Sequence, residues 1–500
     1  MHPREKVGAA SRLIGAATIN LQFAFFNLQF AILVAATLGL IIVARTHAAE
    51  RPNVLFVFSD DQRADTIAAL ENPHIRTPHL DRLVAEGTVM RRAYCMGALQ
   101  GAVCVPSRAM LLTGRTLFRV KADLQGQTTW PEQFAAAGYN TFISGKWHNQ
   151  AASLVRSFDR GKAVFLGGMG QPYTLPVQDF GSDNALANKR PSTKHAVELF
   201  ADCAIEFIES QSGNKPFLAY VPLNLPHDPR SAPPAYHDRY NAARPPLPPN
   251  FMPQHPFNNG QMTGRDEELA PWPRTPEVVR QHLADYYSAI EFVDAQLGRM
   301  LAALKRSGQY ERTIIVFASD HGLAIGSHGL FGKQNLYEHS MRAPLILAGP
   351  GISRGKSSDA MCYLLDIFPT LGELAGVPSP EGSEGKSVMP VVRGEAAAHR
   401  DSIFTAYMGV QRAITDERWK LIVYPRINKT QLFDLQSDPH EMHDLAGDGL
   451  HRDTLSRLTA LLKQSQKQFG DEQALTTEKP LPEAFDFSKV QRKALSPQPN

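Results

Sequence analysis

Four stretches of this chain are apolar through their length and then stop at charged or imidazole side chains. They are "NVLFVFSDD" at 53–61, "NTFISGKWH" at 140–148, "KPFLAYVPLNLPH" at 215–227 and "RTIIVFASDHG" at 312–322. An unbroken apolar run of this length reads as a strand buried on both faces, which is the pattern of a parallel sheet under helices. "APLILAGPG" at 343–351 reads as one more such strand. The intervening segments have helical spacing. "TPHLDRLVAEGTVM" places Leu80, Leu83 and Val84 inward and stops at Gly87, and "WPEQFAAAGYN" stops at Gly138. "AVELFADCAIEFIES" aligns Val197, Phe200, Cys203, Ala204, Phe207 and Ile208 on one face, with Cys203 as core filler. A long helix from His282 closes at Gly308. Strands alternating with helices predict an α/β fold, a large and mostly parallel sheet sandwiched by helices.

In such sheets ligands bind beyond the carboxyl ends of the strands. Asp60, Asp61, Lys146, His148, His227, Asp320 and His321 all fall there. Adjacent carboxylates repel unless a cation joins them, and hard oxygen donors select calcium or magnesium. Asp60 and Asp61 therefore read either as a polar turn or as half of a cation site completed by Asp320 and His321. The proline-rich stretch 229–276 is too long for a simple connector, and its place after His227 points to a packed functional loop. After about residue 400, short strand-like runs and a helix around 451–469 predict a small antiparallel sheet plus helix. The expected organisation is a leader or anchor over 1–49, a catalytic domain over 50–398, a C-terminal α+β subdomain over 399–470 and an irregular tail over 471–500.

Composition narrows the function classes. A net charge of +3 without a basic run gives no case for nucleic-acid binding. Arg4, Lys6 and Arg12 precede an apolar core ending in "FAILVAATLGLIIVA", with small residues at Ala48 and Ala49. This pattern favours export, periplasmic or secreted, with cleavage there, over a retained N-terminal anchor, the one expected membrane contact. The four cysteines, Cys95, Cys104, Cys203 and Cys362, show neither a dense disulfide framework nor paired zinc spacing.

Cys104 opens "CVPSRAMLLTGR". A phosphatase-type cysteine would want an arginine where Met110 stands, and the papain-like signature is missing. The cysteine is then a small hydrophobe, a nucleophile, or the precursor of another group. The stretch resembles the signature of the type I, formylglycine-dependent sulfatases, a branch of the alkaline-phosphatase-like superfamily. Cys104, Pro106 and Arg108 match the modification motif. "RPNVLFVFSDD" resembles the family's opening strand, "SGKWH" its lysine-histidine motif, "FASDHGLAIGSHGLFGK" its second metal segment and "QLFDLQSDPHEMHDLA" its C-terminal motif.

The resemblance implies that a maturation enzyme oxidises Cys104 to formylglycine, whose hydrate attacks sulfur and releases sulfate by losing its second proton. It implies calcium, rather than magnesium, held by Asp60, Asp61, Asp320 and His321 beside residue 104. Arg108 would stabilise the hydrated aldehyde. Lys146, Lys333 and His227 would bind sulfate oxygens, His227 or Lys333 would protonate the leaving oxygen, and His148 would be the final base. Many members carry asparagine where this chain has His321. The expected substrate is a sulfated carbohydrate, with His339 and Arg342 meeting a uronate carboxylate or sugar hydroxyls, or else Arg342 simply pairing within the fold. The alternatives are a phosphate or phosphonate ester hydrolase, and a non-catalytic binder of sulfated glycans in which Cys104 stays a thiol.

Overall fold

The computed structural model describes residues 51–490 apart from 182 and 184, so the expected leader and its cleavage site lie outside the described residues. From Pro52 the chain forms one compact unit. Among the described residues no helix is long and apolar enough to cross a membrane.

The five expected strands form, at 53–59, 140–146, 217–222, 313–319 and 345–348, and further strands join them. They are β1 (Asn53–Ser59), β2 (Gly87–Met90), β3 (Gly97–Ala98), β4 (Asn140–Lys146), β5 (Arg160–Phe165), β6 (Pro176–Phe180), β7 (Ala187–Pro191), β8 (Phe217–Pro222), β9 (Thr313–Ser319), β10 (Leu345–Ala348) and β11 (Lys356–Ser358). Ten of them make one sheet in the order β11-β2-β10-β9-β1-β8-β4-β5-β6-β7. Its centre, β9-β1-β8-β4-β5, is parallel. Its flanks are mixed: β10 runs antiparallel to β9 and β2, and β6 and β7 close the far side as antiparallel strands. The parallel character read from the sequence therefore belongs to the centre.

Alternation along the central strands separates two cores. Val54, Phe56 and Phe58 of β1 pack with Ile314, Val316 and Ala318 of β9 against Leu111, Leu112, Trp130 and Phe368. Leu55 and Val57 pack with Ile315 and Phe317 on the opposite face. That second core is covered by α1 (Pro78–Glu86), α3 (Ala196–Glu209) and α4 (Pro276–Arg306), with α2 (Cys104–Thr113) on the first. Cys203 is buried in the second core as filler.

The C-terminal sheet contains β12 (Ile403–Tyr407), β13 (Gln411–Thr415), β14 (Trp419–Tyr424) and β15 (Lys429–Asp434), followed by α5 (Arg452–Phe469). These four strands form an antiparallel meander. Its fifth strand is β3, which pairs parallel to β12 and lies just before Cys104. The proline-rich segment is packed: it contains a helix at Pro234–Ala242 and a short 3-10 turn at Arg265–Leu269.

Candidate active site

Neighbouring strands bring their carboxyl ends together, so Asp60 and Asp61 after β1 stand beside Asp320 and His321 after β9, with Lys146 at the end of β4. Backbone bonds fix this edge: Asp60 N–H donates to Leu225 O (3.0 Å) and Gln62 N–H to the Ser319 hydroxyl (2.9 Å). Asp61 has a left-handed φ of 67°, held because Tyr286 on α4 donates its hydroxyl proton to the Asp61 carbonyl. Cys104 begins α2, where Pro106 costs little because a first-turn residue needs no amide donor. Ser107 then donates to Asp320 O (2.7 Å), and Asn149 Nδ2 to Val105 O (3.0 Å), tying the helix start to two strand ends.

One atom each from Asp60, Cys104, Asp320 and His321 lies within 4.8 Å of the others, and all four residues are buried. Asp60 Oδ1 has no hydrogen-bond partner among the described residues, and Asp320 Oδ2 accepts no hydrogen bond of good geometry although Arg108 Nη2 lies 3.2 Å away. Burying such acceptors unpaired is costly, so this is the environment a cation fits. The charges agree. Burial, and then the neighbouring Asp60 charge, push the Asp320 carboxyl up to about 6. Burial opposes the charged form of His321, yet Asp320 and Cys104 hold it up to about 9. A divalent ion among these groups would favour the ionised carboxylate and neutral imidazole that bind metal.

Cationic side chains ring this cluster. Lys146 pairs with Asp60. Arg108 Nη2 lies 3.2 Å from Asp320 Oδ2, and its Nη1 donates to Lys146 O (3.1 Å). Lys333 Nζ donates to both oxygens of Asp61 at 2.8 and 3.0 Å. Burial raises the Cys104 thiol, but Lys146 and hydrogen bonds from His148 and His321 outweigh it, so the thiol sits well below its ordinary value. His148 Nδ1 stands 3.3 Å from Cys104 Sγ, and burial leads in lowering its imidazole below the ordinary value. His227 lies with Nε2 at 3.9 Å from Asp61 Oδ2 and Nδ1 at 2.8 Å from Asp228 O. Asp60, Asp61, Cys104, Arg108, Lys146, His148, His227, Asp320, His321 and Lys333 thus come together as the sequence predicts.

His339 and Arg342 do not join them. His339 Nε2 meets His328 Nδ1 at 3.3 Å beside the Tyr337 ring, and burial holds it well below its ordinary value. Arg342 pairs with Glu338 at 3.8 Å on the short strand that joins Tyr94. Their segment stays beside the strand end, where Gly322 and Leu323 donate their N–H groups to Ser340 O (2.8 Å) and His339 O (2.9 Å), but the two side chains take these partners within the fold.

Sequence reasoning missed a second layer. Asp228 Oδ1 receives Arg265 Nη1 at 2.7 Å, and the same nitrogen reaches Asp266 Oδ1 at 2.7 Å. Asp266 Oδ2 lies 3.8 Å from Lys333 Nζ and accepts from Gln334 Nε2 (2.9 Å). Arg265 therefore links the backs of His227 and Lys333. The available signal was "RDEE", a charged run inside a proline-rich segment without periodicity.

A family model described as Sulfatase matches residues 52–377. The chain belongs to the sulfatase family. A second model, N-sulphoglucosamine sulphohydrolase C-terminal, matches residues 326–468. The N-acetylglucosamine-6-O-sulfatase of Bacteroides thetaiotaomicron is 28% identical to this sulfatase, covering 84% of this chain and 87% of that one. Human arylsulfatase K is 27% identical, covering 83% of each. A solved structure of a complex with its substrate D-glucosamine-2-N,6-O-disulfate has a TM-score of 0.71 at 26% identity, covering 85% of this sulfatase and 99% of that chain. The phosphonate monoester hydrolase of Silicibacter pomeroyi, at 22% identity and TM-score 0.67, shares the fold.

Proposed function

We propose that this sulfatase removes sulfate from a sulfated carbohydrate, with Cys104 converted to formylglycine and calcium as the resident ion. The observation that carries the reading is the joining of Cys104 to a buried cluster of Asp60, Asp320 and His321, ringed by Arg108, Lys146 and Lys333. The likeness to glucosamine-directed sulfatases supports the carbohydrate class. When present, formylglycine supplies a nucleophile with a second hydroxyl and calcium supplies positive charge beside it, held by Asp60, Asp61, Asp320 and His321.

The chain's own residues do the rest. Lys146 and Lys333, both buried, would present fixed positive charge to the sulfate oxygens, and such charge acts more strongly than it would in water. Arg108, buried and stacked over Phe58, holds the anionic cluster together. His227 donates its Nδ1 proton to Asp228 O, so as the imidazolium it would hand a second proton, from Nε2, to the leaving oxygen, with Lys333 as the other candidate donor. His148 is kept neutral by burial and can take a proton at Nδ1 from the group at position 104.

The test combines mass and turnover. The tryptic peptide 93–108, from protein made in its own host, is expected to carry an aldehyde in place of the Cys104 thiol. The same protein should release sulfate from N-acetylglucosamine 6-sulfate and 4-nitrophenyl sulfate, and lose activity on treatment with a calcium chelator. Cys104→Ser should transfer sulfate once and release it slowly, giving a burst of alcohol without steady turnover. Steady turnover by Cys104→Ala, or faster hydrolysis of a phenyl phosphonate than of the matched sulfate, would overturn the reading.

A further inference from the structure

Two hollows adjoin on the face where the proline-rich segment meets the C-terminal sheet. One, of about 290 Å³, is lined by residues 258–264 with Val410, Tyr424, Arg426 and Phe485. The other, of about 350 Å³, is lined by Gln473, Thr477, Lys479 and again Arg426. Leu481, about half exposed at 52%, lines both. Arg426 and Lys479 are exposed, and among the described residues neither side-chain cation has a hydrogen-bond or ion-pair partner. The neighbouring lysine differs, since Lys429 is paired to Glu483 at 2.6 Å. The rest of the lining includes amides and aromatic rings, Asn258, Gln261 and Gln473 beside Tyr424 and Phe485, among aliphatic side chains such as Met262, Val410 and Ile427. Free cations, planar amides and ring faces are the chemistry that recognises an anionic sugar.

The walls of the first hollow run on, through the chain and its hydrogen bonds, to residues behind the catalytic site. Gly264 lines the first hollow, and the next residues, Arg265 and Asp266, back His227 and Lys333. On the other wall, Gln411 follows Val410 and donates through Nε2 to Asn259 O (3.0 Å) and to Gln334 O (3.3 Å), the residue after Lys333.

We propose that the joined hollows are a second subsite for an anionic glycan, in which Arg426 and Lys479 hold a charged substituent on a sugar beyond the one that is desulfated. This rests on the carbohydrate reading above. A second contact on the same chain acts at a high effective concentration, so it tightens binding of an oligosaccharide and leaves a monosaccharide untouched.

The experiment compares the full-length protein with the double variant Arg426→Gln/Lys479→Gln. The substrates are N-acetylglucosamine 6-sulfate and a sulfated glucosamine–uronate tetrasaccharide. The expected result is a KM for the tetrasaccharide raised roughly tenfold, with kcat and both monosaccharide parameters unchanged. Arg426→Lys with Lys479 intact should restore most of the affinity. Calorimetric titration with the tetrasaccharide reads the same loss without turnover, so the subsite is decided even if the sulfate assay fails. Repeating the titration with the desulfated, uronate-bearing tetrasaccharide assigns the anion: an effect that persists names the carboxylate, and one that disappears names the sulfate. An unchanged tetrasaccharide affinity in the double variant would overturn the proposal. So would equal binding of a neutral oligosaccharide of the same length.

Discussion

Gly168 lies against the imidazole of His148. A Cβ built on it would stand 2.6 Å from His148 Nε2, closer than unbonded atoms approach. His148 itself sits at a left-handed φ of 69°, so its backbone has little room to retreat. Gly168→Ala should therefore displace the imidazole from Cys104 and lower kcat by about 10- to 100-fold, with the unfolding midpoint little changed. Wild-type kcat in that variant would remove His148 from the proton path. Arg265 acts at one remove, through Asp228 and Asp266 on the two candidate proton donors. Its loss should matter in proportion to how much the leaving oxygen needs a proton. Arg265→Ala should slow an alkyl or sugar sulfate by about 100-fold and 4-nitrophenyl sulfate by less than about threefold. Equal losses on both substrates would make Arg265 a merely structural group.

At the scale of elements, α1 depends on a carboxylate from another helix. Asp294 on α4 accepts the Leu80 N–H at 2.7 Å and the His79 N–H at 3.2 Å, two donors that a helix start leaves unpaired. Burial pushes the Asp294 carboxyl up to about 7. Asp294→Ala should cost about 1–3 kcal/mol, read by denaturant unfolding, because it leaves two buried amides without acceptors. The sign of the pH effect follows from the raised value. Asp294 contributes its full stability below the unfolded carboxylate range and loses it as pH rises toward 7. Asp294→Asn keeps an acceptor and should flatten that slope. The same scale explains the C-terminal sheet, whose strand β3 is drawn from the segment leading to Cys104, so that β12 braces the approach to the nucleophile.

Over the whole molecule, buried neutral histidines set the acid limit. Burial lowers His195 and His328 to about 4, and His255 and His282 to about 3. Each is held by a carbonyl or arginine contact: His195 to Ser231 O, His255 to His328 O, His328 to Glu441 O and His282 to Arg230. The unfolded chain takes up these protons below about pH 6.5 and the folded chain refuses them, so their contribution is lost as pH falls. Asp294 and Glu441, both raised to about 7, Asp320, raised to about 6, and the raised Glu267 and Asp285 act with the opposite sign, but with His79, His148 and His339 also lowered the histidines outnumber these carboxyls. Stability should therefore fall as pH drops from 6.5 toward 4. Comparing wild type with His255→Gln isolates one site: their stability difference should shrink by roughly 1.4 kcal/mol per pH unit below pH 6.5. A difference constant from pH 7 to pH 5 would mean that His255 is not held neutral.

What the sequence determined by itself was local. An apolar run that stops at Asp60–Asp61 or Asp320–His321 declares both a buried strand and the end that carries chemistry. Burial of every side chain on β1, β8 and β9 leaves polar residues only where the strand leaves the sheet. The order of the motifs around Cys104 carried the family. The tertiary structure decided everything that depends on which distant segments meet. It turned β10 antiparallel, added β5, β6 and β7 to one flank, and lent β3 to the C-terminal sheet. It buried His339 against His328 and Tyr337, paired the half-buried Arg342 with Glu338, and brought Arg265 behind His227 and Lys333. These outcomes are set by pairing across tens to hundreds of residues, where backbone hydrogen bonds and buried charges must be satisfied together. No local pattern of residues encodes that requirement.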